Sequence, residues 1–375
     1  MPREVPRLFD SPSRRFASEL EYRNYLIHET DIPGLLEHND LYVVIALLGF
    51  SSPERLLSIL RRGGLEVTDD LGAVWRISRP AASSHGEGCE EFSASLCLDW
   101  DNGLAVFYTD CRKTMEIDKF LMPTLLRGSS QMDLFVIYPS LMQRVLEALF
   151  AQHPEGRLVQ FTARTSPGSA VDGTGREPCA RAIHYWGVDG RATYPEFRDF
   201  YGTAISSAVV ELSRPATRIR MSHAGTLALC SGEPRVFFDL LEQHMIPEAR
   251  RQRSIVYRTK RGQVPVGASR SPRSVPVAFP LTIRLNSPLR YYEVSRGLVQ
   301  TLEADDFQVL EHMEEEGSLF LHAELFDVQR VSRFRIWANE DHIRLLPGER
   351  TGLSTMLRFY EFVLAQVDPY AVLEA

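Results

Sequence analysis

Three stretches of this chain alternate apolar and polar residues, reverse, alternate again and then change period. The first is SLCLDWDNGLAVFYTD, which turns at Asp101-Asn102-Gly103 and runs into KTMEIDKFLMPTLL. The second, TRIRMSHAGTLALCS, turns near His223-Ala224-Gly225 and precedes PRVFFDLLEQHM. The third, RFRIWANEDHIRLLPG, turns near Asn339-Glu340-Asp341 and precedes TGLSTMLRFYEFVLAQV. Period-2 alternation around a tight turn predicts a β-hairpin, and the change to steps of three and four predicts an amphipathic helix. Asp101-Asn102-Gly103 is the strongest turn signal, because Asn-Gly tolerates the positive φ that short hairpins need. The turns lie about 120 residues apart, a long fixed period that suggests one unit used about three times.

The remaining pattern fills in around these hairpins. Leu41–Phe50 (LYVVIALLGF) is continuously apolar and reads, by its length, as a buried helix or strand. Ser51-Ser52-Pro53-Glu54 starts a helix with a Ser cap, Pro in the first turn and an acid facing the helix dipole; Gly63-Gly64 ends it. LEVTDDLGAVWRIS reads as two short strands, and PSLMQRVLEALFAQ as an amphipathic helix. Strands joined by tight turns and interleaved with helices predict an antiparallel α+β fold, unlike the strict strand–helix alternation of a doubly wound parallel sheet. The predicted divisions are an N-terminal α+β domain over 1–155, a middle unit over 156–250, a basic linker or arm over 251–277 and a C-terminal α+β unit over 278–375. Antiparallel strands backed by helices and repeated in one chain resemble, in outline, the TATA-binding-protein-like and helix-grip folds. The likeness is one of pattern without a motif, so it transfers no residue and no function.

Composition narrows the class. A chain of 375 residues with 44% hydrophobic residues is long enough for two or three cored domains. A net charge of -7 gives no global attraction to nucleic acid or anionic membrane. No apolar run approaches the roughly 20 residues of a membrane span, and MPREVPRLFDSPSRR lacks a signal-peptide core. Five cysteines without framework spacing fit a reducing compartment, so cytoplasmic residence is the expectation.

Motifs for chemistry are weak. There is no GxxxxGK(S/T) loop, and Gly168–Gly175 lacks the Lys and does not lead from a strand into a helix. HExxH, CxxC and HxH are all missing from the sequence. His85, Cys89, Cys97 and Cys111 match no zinc spacing, and no metal or other cofactor is expected. Asp99, Asp101 and Asp110 flank the first turn and could hold a divalent cation, which makes a metal-dependent hydrolase or nuclease one alternative. Asp101, however, is also what a DNG turn prefers. His184 and His322 alternate with apolar residues and read as hydrogen-bonded sheet histidines.

Charge segregation stands out. Arg250 to Tyr292 contains no Asp or Glu and carries Arg250, Arg251, Arg253, Arg258, Lys260, Arg261, Arg270, Arg273, Arg284 and Arg290. Glu303 to Glu316 then carries seven acids with no Lys or Arg. The basic segment, kept extended by Pro and Ser, reads as an arm that tracks phosphates, with Tyr257 available for stacking. It could instead dock on the acidic stretch or on a protein partner, or be a solvated linker. By elimination the sequence points to a non-catalytic nucleic-acid-associated binding or scaffold subunit of a larger complex. DNA or RNA, a protein partner or a second copy are its expected partners, with no membrane. A protein–protein adaptor without nucleic-acid contact is the other alternative.

Overall fold

The computed structural model describes residues 14–30, 32–79, 92–111, 113–165, 181–259, 261–266, 273–288, 299–314, 321–348 and 350–374. The chain is α+β and divides into two compact units. The first comprises 1–164, 182–199 and 205–250; the second comprises 165–181, 200–204 and 251–375. Residues on either side of 155 therefore share one unit.

The elements run α1 (Glu19–His28), α2 (Ile32–Leu36), β1 (Leu41–Leu48), α3 (Pro53–Arg62), β2 (Glu66–Asp70), β3 (Val74–Ser78), β4 (Ser93–Asp99) and β5 (Leu104–Thr109). Next come α4 (Met122–Arg127), β6 (Met132–Leu134), α5 (Pro139–Gln152), β7 (Arg157–Thr165), β8 (Arg181–Trp186) and α6 (Gly190–Tyr201). Then follow β9 (Thr203–Ser213), β10 (Ala216–Ser222), β11 (Thr226–Gly232), α7 (Pro234–Leu240), α8 (Ile246–Arg258), β12 (Arg261–Val266) and β13 (Arg273–Ala278). The chain closes with β14 (Leu281–Arg284), α9 (Val299–Ala304), β15 (Phe307–Glu314), β16 (Leu321–Asp327), β17 (Ser332–Ala338), β18 (His342–Pro347), α10 (Leu353–Phe362) and β19 (Val372–Glu374).

An eleven-stranded sheet organises the first unit, in the order β2-β3-β4-β5-β1-β11-β10-β9-β7-β8 with β6 also paired to β1. The apolar run LYVVIALL is its centre, and all eight residues are buried. Antiparallel pairing to β5 and β11 uses both of its edges, and helices cover both of its faces. On one face Val44, Ala46 and Phe107 pack with Leu56, Ile59 and Leu60 of α3 and Leu125 of α4. On the other, Tyr108 meets Tyr22 of α1 and Phe238 of α7. A strand covered twice has no use for polar positions, which is why the run is unbroken. The helix after it starts as expected: Ser52 Oγ accepts the Arg55 N–H at 3.2 Å, and Pro53 occupies the first turn.

The second unit holds a six-stranded antiparallel sheet, β15-β16-β17-β18-β14-β19. Its inner face packs Phe307 and Phe334 against Phe359 of α10. Strand β17 alternates buried and exposed at every residue. Strands β12 and β13 form a separate two-stranded sheet.

All three expected hairpins form: β4–β5, β10–β11 and β17–β18. Gly103 (φ 62) and Gly225 (φ 67) take the left-handed conformation in the first two turns. The third uses Asn339 instead, whose Oδ1 accepts the N–H of His342 at 2.7 Å. Each hairpin is followed by a helix with a π-helical stretch: Lys113–Leu121, Leu241–Met245 and Val363–Val367. Pro123, Pro247 and Pro369 stand just beyond them. Pro123 and Pro247 stand inside continuing helices, where a proline withholds its N–H and crowds the carbonyl a turn earlier, and widening the preceding turn relieves that conflict; at Pro369 the helix has already ended, with Asp368 extended. A threefold repeat is not confirmed, since two hairpins share one sheet on either side of β1 while the third belongs to a different sheet.

One expectation needs correcting. The pattern MIPEARRQR already continues a helix to Arg253, but the arm over 251–277 stays helical further than expected: α8 runs to Arg258 and carries Arg251, Arg253 and Arg258, with Arg250 just before them. Ala249, Gln252, Ile255, Val256 and Thr259 form its buried stripe, and burying that stripe outweighs the repulsion among neighbouring guanidiniums.

Candidate functional site

The eight candidate contact residues of the basic segment fall into three settings. On α8, Arg250 donates to Asp99 Oδ2 at 2.8 Å, and Arg251 donates to the Leu373 carbonyl at 3.0 Å. Arg253 lies over the Tyr257 ring, 3.9 Å from its centroid, and Arg258 is exposed in the last turn. Arg261 and Arg273 open the two strands of the small ribbon, where Arg261 is the register partner of Ala278 and Arg273 that of Val266. Lys260 and Arg270 lie outside the described residues.

The first hairpin does not assemble a cation site. Asp99 is bound to Arg250 and accepts from Asn102 Nδ2 at 2.8 Å, so its oxygens serve the turn and the helix. Burial alone would raise the Asp99 carboxyl, but the hydrogen bonds from Asn102 and Arg250 outweigh it and hold it below the ordinary range. Asp101 is exposed at the turn, whereas Asp110 is buried at the far end of β5. Among the described residues no group of three His, Cys, Asp or Glu side chains is placed to hold a metal. Asp99 and Arg250 instead rim a cleft of about 580 Å³ with Glu19, Arg23, Trp100 and Glu242. Both arginines there are paired, for beside the Arg250–Asp99 pair Arg23 reaches Glu19 at 2.9 Å and Glu242 at 3.2 Å. Cys97, in the same wall, is buried, and burial pushes its thiol well up, which keeps it protonated and unreactive.

A second groove, of about 630 Å³, lies on the outer face of the six-stranded sheet. Its lining includes Glu324, Phe326, Arg333, Arg335, Trp337 and Arg350. Glu324 forms a short ion pair with Arg333 and stands 3.9 Å from Arg335. His322 and Trp337 pack edge-to-face, with ring centroids 6.0 Å apart, and the buried His322 Nε2 has no hydrogen-bond partner among the described residues. His184 is different, for its Nδ1 lies 3.2 Å from Thr162 Oγ1. Sequence reasoning passed over Arg333, Arg335 and Trp337, although the alternation of RFRIW was the signal that could have found them.

No protein-family model matches the chain. It is similar to an uncharacterized protein of the archaeon Archaeoglobus fulgidus, 22% identical over 372 residues, which cover 96% of this chain and 97% of the relative. The similarity thus spans both compact units. No helix among the described residues is long and apolar enough to cross a membrane.

Proposed function

We propose that the chain is a non-catalytic nucleic-acid-associated binding or scaffold subunit that contacts a duplex through the ribbon β12–β13. The supporting observation is that this basic segment pairs as two antiparallel strands apart from both large sheets. Residues 261–278 carry Arg261, Arg270 and Arg273 and no acid. Isolated two-stranded ribbons are marginal in water, so a binding partner would complete this one. Pro265 and Pro276 deny N–H groups to any further strand, which disfavours a neighbouring sheet as that partner. A two-stranded ribbon fits a major groove about 12 Å wide, and arginines supply the phosphate contacts.

Titrating a labelled duplex with the full chain across a salt series tests this. Affinity is expected to fall steeply with salt, and changing Arg261, Arg270 and Arg273 to Ser is expected to lower the log–log slope by roughly 2–3, about one per lost phosphate contact. Salt-independent affinity, or an unchanged slope in the triple variant, would sink the proposal.

A protein–protein adaptor is the second reading, favoured by one observation. Edge strand β8 and the turn after it leave Trp186 69% and Val188 66% exposed. That reading expects a co-purifying partner lost on Trp186→Ser, with no duplex binding at low salt.

A further inference from the structure

The outer face of the six-stranded sheet is two-toned. Along β17, Arg333, Arg335 and Trp337 point outward, one about every 6.8 Å. Arg344 of β18 is the register partner of Trp337, which places it beside the ring. On the other flank the register pairs Glu324 of β16 with Glu311 of β15, so acid gathers at that margin. At the opposite margin Arg284 and Glu374 neutralise each other at 2.6 Å. Between the margins lies a cationic stripe over β17 and β18. Glu324 is shared by Arg333 and Arg335, while Arg344 and Arg350 have no partner among the described residues. Trp337 remains 39% exposed at the Arg344 end of the stripe.

The physical consequence is specific. A large indole left partly open beside guanidiniums, and packed edge-to-face with His322, offers a flat apolar surface inside a positive field. Paired bases in a duplex keep their faces stacked and cannot use it, whereas an unpaired base can, its phosphates meeting the arginines. The groove volume of about 630 Å³ suits a ligand of nucleotide size. We infer that this face binds single-stranded nucleic acid, with a base on Trp337 and the backbone along Arg333, Arg335 and Arg344. The inference rests on the reading that the chain binds nucleic acid, but it uses none of the ribbon's residues.

The experiment is fluorescence anisotropy of a labelled single strand of about 12 nucleotides and of a duplex of equal length, each with the full chain. Four variants stand beside the parent: Trp337→Ala, Trp337→Phe, Arg335→Ser and the triple Ser variant of the ribbon. Thermal melting checks that each is folded. Trp337→Ala is expected to weaken single-strand binding roughly 5- to 150-fold, the range for loss of one stacked base, and to leave duplex affinity unchanged. Trp337→Phe keeps a stacking surface and is expected to stay within a few-fold of the parent, while Arg335→Ser is expected to weaken binding at low salt and to lower the log–log salt slope by roughly 0.7, for one lost phosphate contact. Equal single-strand affinity in the parent and in folded Trp337→Ala overturns the inference. Failure of the parent to bind a single strand also overturns it, and leaves the ribbon proposal standing if duplex binding still depends on the ribbon arginines. The converse, single-strand binding lost with Trp337 and no duplex binding, upholds the inference and retires the ribbon. Binding of a labelled poly-glutamate peptide, lost in Trp337→Ala and without any single-strand binding by the parent, would assign the face to an acidic protein partner and overturn the inference.

Discussion

β1 and β17 are both interior strands of antiparallel sheets, and their sequences are opposites. LYVVIALL is apolar at every position and buried at every position, because helices close both faces of its sheet. SRFRIWA alternates, because α10 closes only one face. The difference separates stability from recognition. A strand covered twice contributes burial and has no surface left to present. A strand covered once presents every second side chain at a fixed spacing on a rigid support, which is what a binding face needs.

The sharpest test of that contrast exchanges a large ring for alanine on each strand system. Phe107 is fully buried beside Val44 of β1, and Phe107→Ala is expected to cost about 3–5 kcal/mol in urea unfolding. Trp337→Ala removes an even larger ring, yet about 1 kcal/mol or less of stability is expected to go with it, because much of that ring already faces water. Equal losses would break the comparison and show that the outer sheet face is covered in solution.

The next test opposes two arginines of the second unit. Arg358 sits on the covered side, paired through a short contact with Asp327, which is fully buried, and donates to the Asp305 carbonyl. Arg358→Met strands the Asp327 carboxylate and is expected to cost about 3 kcal/mol, even though its backbone donors at Gln329 and Arg330 remain. Arg333→Ser, on the open side, is expected to change stability by less than about 1 kcal/mol. Comparable urea midpoints for the two variants would mean that the Arg358–Asp327 pair is solvated.

Much of this architecture was legible in local pattern. Asn102-Gly103, the Ser52 cap and the three alternating hairpins each act through a few neighbouring residues, and each appears where the pattern puts it. LYVVIALL was legible as buried but not as strand, because an apolar run of that length satisfies either period. The basic segment misled for a physical reason. Its arginines are conspicuous, but Ala249, Gln252, Ile255, Val256 and Thr259 carry the helical stripe, and two of these five are polar, which blurs the period. The open-face groove was hidden differently: RFRIW shows that one face is polar, while the identity of the covered face depends on where α10 packs. Asp99 and Arg250 meet across 151 residues, and no local signal encodes such a meeting.

That last pair gives the smallest expected effect and ties stability back to binding. It is the exposed counterpart of Arg358–Asp327, with Arg250 nearly half exposed, so it is worth less than about 1 kcal/mol. The Asp99 carboxyl is held below the ordinary aspartate value of about 3.9. A depressed folded value means the contribution is complete above that ordinary value and disappears as pH falls through the folded one. Tm differences between the parent and Asp99→Asn are therefore expected to be constant near neutral pH and to shrink toward zero in acid. A difference that persists in acid would mean that packing of the side chain, and not its charge, stabilises the turn. The same variant releases Arg250 from its partner. Under the nucleic-acid proposal an additional guanidinium becomes available for phosphate, so duplex affinity at low salt is expected to rise by a few-fold and to lose that gain as salt is added. Unchanged affinity would place Arg250 outside the contact and confine its role to fastening α8 onto the first hairpin.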